Sequence, residues 1–105
     1  MTSDSTDPAG QTVLTTFECA PAACDDLLAA VTDDYEHVIA KQPGFLGAAL
    51  HVNDARTRVA SYATWRRRED FQAMLRTEEM QGRNREISEL ARGFEPVMYD
   101  VVARF

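Results

Sequence analysis

Between Val59 and Phe71 the chain reads V-A-S-Y-A-T-W-R-R-R-E-D-F, and its character changes in the middle. Val59 to Trp65 holds Val, Tyr, Thr and the only Trp, with no Gly or Pro, and predicts a strand. Three arginines follow, then acidic residues, then helical spacing. A strand that runs straight into an amphipathic helix ends at the rim of a sheet. Side chains alternate across a strand, so Val59, Ser61, Ala63 and Trp65 share one face and Ala60, Tyr62 and Thr64 the other. The first face sets a large flat ring near a Ser, with only a small Ala between them. The space beside that ring suits a flat apolar ligand.

The rest of the chain supplies the partners of this strand. Met1 to Gly10 is polar and is expected to be a disordered tail. Residues 11–105 are expected to form one domain. Gln11 to Cys19 favours a strand through its Thr, Val and Phe residues. From Ala22 to about Gln42, Leu27, Val31, Tyr35 and Val38 recur at helical spacing, opened by Pro21 and stopped by Pro43-Gly44. Asp25 and Asp26 near its start and Lys41 near its end match the helix dipole. Phe45 to Val52 and Thr57 to Trp65 predict a hairpin around Asn53-Asp54. A second helix starts at Glu69-Asp70, with Phe71, Met74 and Leu75 as its inner stripe and an interruption expected at Gly82. Ile87, Leu90 and Ala91 continue the helical spacing up to Gly93, and Pro96 to Phe105 predicts the last strand. The order β-α-β-β-α-β is the ferredoxin-like α+β arrangement, one antiparallel sheet with its helices on one face. The other face, around Tyr62, is not polar enough to be content in water. Two copies packed sheet to sheet would close it, so a homodimer is expected.

Composition narrows the function classes. A formal net charge of -6 argues against nucleic acid, which requires clustered cations. No apolar run approaches the roughly 20 residues of a membrane span, and the N-terminus does not read as a signal peptide. Cys19 and Cys24 do not form a C-x-x-C pair, so two reduced thiols in a cytoplasmic protein are expected. The two His, His37 and His51, sit in no ligand cluster, and no bound metal is expected.

Several residues are candidates for chemistry, each with a structural alternative. Ser61 is either a small residue that leaves space or a nucleophile, although no triad spacing activates it. Trp65 is either core or the flat wall of a pocket, with an indole N–H that needs an acceptor if buried. His51, on the neighbouring strand, is either structural or a base for a phenol. Tyr35 is either a core aromatic or a hydroxyl pointed into a cavity under the sheet. Arg85 lies where it could reach a pocket mouth, but nothing in the sequence orients it. Arg66 to Arg68 read as a solvated loop that Glu69 and Asp70 partly neutralise.

With these residues in place, the chain resembles the antibiotic biosynthesis monooxygenase family of small dimeric α+β barrel proteins. The resemblance covers about residues 11–105. It is carried by Q-P-G-F at 42–45, the hairpin, Y-A-T-W-R-R-R-E-D-F at 62–71, E-M-Q-G-R-N-R-E-I at 79–87 and F-E-P-V-M-Y at 94–99. It implies a cofactor-independent monooxygenase that oxidises an aromatic, polyketide-like phenol to a quinone with O₂, without metal, haem or flavin. In such enzymes the deprotonated substrate itself passes an electron to O₂, and the protein holds and desolvates the anion. The family's oxygenases carry an Asn four residues before the Trp; here that position is Ser61, while Trp65 is kept. Haem-degrading members need a His on the second helix, and Phe71 to Gln81 contains none. Taken with the residue readings above, Trp65, Ser61 and His51 are expected as catalytic residues, and Tyr35, Phe71, Met74 and Arg85 around a small aromatic substrate. A non-oxidative polyketide cyclase and a non-catalytic dimer that binds a small molecule are the alternatives.

Overall fold

The computed structural model describes residues 10–105; the tail expected over 1–10 lies, but for Gly10, outside the described residues. The elements are β1 (Gln11–Glu18), α1 (Cys24–His37), β2 (Phe45–Val52), β3 (Arg58–Trp65), α2 (Arg68–Leu75), α3 (Glu78–Leu90) and β4 (Gly93–Tyr99). The four strands form one antiparallel sheet in the order β2-β3-β1-β4. This is the ferredoxin-like β-α-β-β-α-β fold, with its second helix divided into α2 and α3.

Register sets the two faces. On the inner face Leu50, Ser61, Thr15 and Pro96 form one row across all four strands, and Ala48, Ala63, Val13 and Met98 another. On the outer face the row is Ala49, Tyr62, Leu14 and Val97. The helices cover the inner face. Val59, Ser61, Ala63 and Trp65 are buried there, whereas Tyr62 remains 53% exposed.

Three boundaries differ from the sequence reading, each for a physical reason. Only residues 24–37 of the long first helix are α-helical; Pro21–Ala23 and Ile39–Lys41 are 3₁₀ turns. Val38 and Ile39 are both buried. Adjacent residues point about 100° apart on an α-helix, and Val38 leaves the helical region, which lets both face the core. The break in the second helix falls at Arg76-Thr77, while Gly82 lies inside α3. Thr77 caps α3: its hydroxyl accepts from the Met80 N–H at 3.2 Å and donates to the Met74 carbonyl at 2.9 Å. Such a cap is worth about as much as a mid-helix Gly costs, so the cap decides the position. The last strand starts at Gly93 and ends at Tyr99, rather than running from Pro96 to Phe105. Phe94 is drawn onto β1 by stacking on Phe17, with ring centroids 5.5 Å apart. Tyr99 pairs with Thr12, close to the start of β1, so residues 100–105 have no strand left to pair with there.

Two turns fix the hairpin and its exit. The Asn53 side chain accepts from the backbone N–H groups of Thr57 and Arg58, both at 2.9 Å. Gly44 has φ +85, and a Cβ there would collide with the Asp70 carboxylate. Only glycine serves at that crossing, which brings Gly44 under the start of α2.

The core falls into two clusters. One gathers Val13, Val38, Ile39, Ala63, Trp65, Phe71, Met74 and Met80. The other gathers Phe17, Cys19, Cys24, Leu27, Val31, Val59, Ile87 and Ala91. Cys19 and Cys24 are free thiols. The candidate site lies between these clusters.

Candidate functional site

A small cavity of about 60 Å³ lies between the helices and the inner face of the sheet. Its floor is Thr15, Ser61 and Pro96, all from one row of the register, with Phe17 and Phe94 beside them. Val31, Asp34, Tyr35 and Ile39 close one side, and Phe71, Met74, Met80, Asn84 and Ile87 close the other. The alternation of β3 delivers Ser61 to the floor, and the inner stripe of α1 delivers Tyr35 to the wall.

Ser61 and Tyr35 meet. Their hydroxyls share a hydrogen bond, Oη to Oγ, in which either can donate. Ser61 is 2% exposed, so its hydroxyl has little access to water. Burial pushes the Tyr35 phenol above its ordinary pKa; the bond to Ser61 pulls the other way, and the nearby Asp34 carboxylate adds to the rise. At neutral pH Tyr35 is therefore a neutral phenol.

Asp34 is the functional candidate that sequence reasoning passed over. It is buried, and it faces the same cavity. Burial raises its carboxyl pKa, against the opposing effect of Arg83. Arg83 Nη1 donates to Asp34 Oδ1 at 3.0 Å and to Asp33 Oδ2 at 2.7 Å, and Nη2 donates to Glu79 Oε2 at 3.4 Å. One guanidinium thus ties α1 to α3 across the roof of the cavity. The signal was present in the sequence: Leu27, Val31, Asp34 and Val38 share one helical stripe, and an acidic residue on an apolar stripe needs a reason.

The other expected residues divide. Phe71 and Met74 line the cavity with Ser61 and Tyr35. Trp65 is placed one layer behind, 1% exposed, edge-on to Phe45 at 5.4 Å and to Phe71 at 5.9 Å. It braces the cavity wall without forming it. His51 does not join the site: it pairs with Ala60 and projects from the outer face, because β2 alternates out of phase with Leu50 at that point. Arg85 also stays outside, on an exposed face of α3 among Glu78, Glu79, Glu86 and Glu89.

Among the described residues no group of three or more His, Cys, Asp or Glu is placed to hold a metal ion. None of the helices there is long and apolar enough to cross a membrane.

Similarity to known proteins follows the same frame. A monooxygenase from the gene ActVA-Orf6 of Streptomyces coelicolor, solved with the ligand nanaomycin D, is 26% identical. That match covers 94% of each chain with a TM-score of 0.78. SnoaB, a cofactor-independent oxygenase from Streptomyces nogalater, is 19% identical over 90% of this chain and 95% of its own, with a TM-score of 0.73. A conserved protein from Methanosarcina mazei shares the fold at 12% identity and a TM-score of 0.77, over 87% of this chain and 91% of its own. No curated protein is significantly similar to the chain. Residues 11–84, from the first strand through most of α3, match the antibiotic biosynthesis monooxygenase family. Most of the chain is thus covered by that match, and the chain belongs to the antibiotic biosynthesis monooxygenase family.

Proposed function

We propose that this chain is a cofactor-independent monooxygenase that oxidises a phenolic, polyketide-like aromatic to a quinone with O₂, working as a homodimer. The observation that carries the reading is a phenol, that of Tyr35, held on Ser61 in an apolar cavity beside the Asp34 carboxylate. Tyr35 marks where a substrate oxygen would sit. Ser61 would donate to that oxygen as it becomes an enolate or phenolate. Asp34, whose pKa burial raises, is suited to take the proton.

The chemistry balances within the substrate and O₂. Asp34 removes a proton from an anthrone-type CH₂ group, and the apolar walls leave the resulting anion poorly solvated. That anion gives one electron to O₂, and the two radicals combine as a peroxide. The protonated Asp34 returns its proton to the peroxide anion, and loss of water from the hydroperoxide leaves a C=O in place of the CH₂.

Support for the dimer comes from the outer face, where Tyr62, Val97 and Tyr99 are exposed together. A second copy packed sheet to sheet would cover them.

An oxygen electrode tests the reaction, with anthrone and 1,8-dihydroxyanthrone as probes. Wild type is expected to consume O₂, and Asp34→Asn to lose about 10²- to 10⁴-fold in rate. A folded wild-type protein that consumes no O₂ with either probe sinks the oxygenase reading. Ser61 in place of the oxygenases' Asn favours one second reading, a non-oxidative cyclisation run by the same Asp34 and Tyr35. Product mass separates the two, since cyclisation adds no oxygen.

A further inference from the structure

Tyr35 stands between two apolar spaces. On one side is the inner cavity of about 60 Å³, with Ser61 on its floor. On the other is an open groove of about 260 Å³ between α1 and the edge strand β2. Phe45, Ala48 and Leu50 form the groove's apolar side, and Thr32 and Glu36 its rim. Tyr35 alone lines both. Its ring packs against both core clusters and lies 6.1 Å from the Phe45 ring. Among the described residues, the hydrogen bond to Ser61 is the only one its hydroxyl makes.

Neither space suffices alone. An apolar cavity that binds benzene measures about 150 Å³, so the inner cavity admits no aromatic ring. The outer groove lies open to solvent and does not contain Ser61. Joined, the two reach the lower end of the roughly 300–1,000 Å³ typical of small-molecule sites.

We infer that the inner cavity and the outer groove are two halves of one ligand site, with Tyr35 as a movable partition between them. The occupant is a flat, uncharged aromatic of two or three rings with a hydroxyl or keto oxygen at its inner end. This rests on the aromatic-substrate reading above and deepens it. When the Tyr35 side chain swings aside, the leading ring of the ligand takes the space of the phenol. The ligand's oxygen replaces the Tyr35 hydroxyl on Ser61, so the buried Ser61 hydroxyl is never left without a partner. One phenol is exchanged for another, which makes the displacement inexpensive. Asp34 faces the inner half and Glu36 the rim of the outer half, and both disfavour an anionic ligand.

Quenching of Trp65, the only Trp, reads occupancy. Its ring touches Phe71, which lines the inner cavity, and Phe45, which lines the groove. The probe is 2-naphthol, with naphthalene as the analogue that lacks the hydroxyl, and circular dichroism confirms that each variant is folded. Tyr35→Phe keeps the ring and removes the latch, and it is expected to tighten 2-naphthol about three- to tenfold. Ala48→Phe fills the exposed groove and is expected to weaken 2-naphthol at least tenfold. Ser61→Ala is expected to abolish the preference for 2-naphthol over naphthalene. If wild type binds 2-naphthol and neither Tyr35→Phe nor Ala48→Phe changes its affinity, the partition is overturned and the aromatic-substrate reading survives. If neither wild type nor Tyr35→Phe binds 2-naphthol, both fall. If the variants behave as expected but anthrone supports no O₂ uptake, the two-part site stands and only the oxygenase reading is lost.

Discussion

Replacing Arg83 with Met tests whether the roof of the cavity is an electrostatic clamp. The substitution leaves a similar aliphatic stem and removes the guanidinium that meets Asp34 at 3.0 Å. The Asp34 side chain is only 9% exposed, so its carboxylate loses its cation without gaining much water. Breaking a buried pair in this way costs about 3–5 kcal/mol. The Arg83 side chain is 21% exposed, however, so water already screens part of the pair. A loss of about 2–3 kcal/mol at pH 7 is expected. A ceiling of about 4 kcal/mol is set by simply protonating an ordinary Asp at that pH. For a domain of this size the melting temperature should fall by about 10–20 °C.

The pH dependence carries the sign. Burial already raises the Asp34 pKa in the folded protein, and removing Arg83 raises it further. A raised acid pKa stabilises the fold at low pH, and that stability is lost as pH climbs through the folded-state value. The gap between variant and wild type should therefore be widest near pH 7 and should shrink towards pH 4, as Asp34 takes up a proton and the pair with Arg83 loses its charge. Thermal unfolding followed by circular dichroism at the two pH values measures it. Adding Asp34→Asn to Arg83→Met should restore most of the lost stability at pH 7. An equal drop at both pH values, or no rescue by the double substitution, would refute the clamp. Asp33 and Glu79 also meet Arg83, and the contact with Arg83 lowers the Asp33 carboxyl pKa, so its loss has the same sign; both are exposed and screened by water, and it is the rescue by Asp34→Asn that singles out Asp34.

Three further outcomes are expected. Trp65→Phe should cost about 1–2 kcal/mol of stability from lost packing, yet change the rate of O₂ uptake by less than about threefold, because Trp65 lies behind Phe71; a larger rate loss in a stable protein would place the indole in the site after all. Tyr62→Glu puts a charge in the centre of the outer face and should convert a dimer to monomer in sedimentation at micromolar concentration; an unchanged sedimentation coefficient would move the dimer contact elsewhere. Thr77→Ala removes the cap of α3 and should lower stability by about 1 kcal/mol in urea unfolding, whereas Thr77→Ser should cost much less; equal losses would deny the hydroxyl its role.

Strand alternation made the faces legible. Val59, Ser61, Ala63 and Trp65 point inward together and Tyr62 outward because a period of two leaves no other choice. The same rule removes His51 from the site once the register with β3 is known, but register is a pairing between strands and cannot be read from one strand. Helical spacing was less decisive. It placed Tyr35 on the inner stripe of α1, but not the bond to Ser61, which depends on where α1 crosses β3. It passed over Asp34 because a carboxylate on an apolar stripe looks like noise until its partner is found. That partner, Arg83, lies 49 residues further along the chain. The chemistry of the site is therefore a tertiary property. An acid that burial makes basic, a Ser hydroxyl sealed from water and a phenol that occupies it come together only when α1, α3 and β3 close on one another. Each of the three, left exposed on an isolated helix or strand, would be an ordinary surface residue.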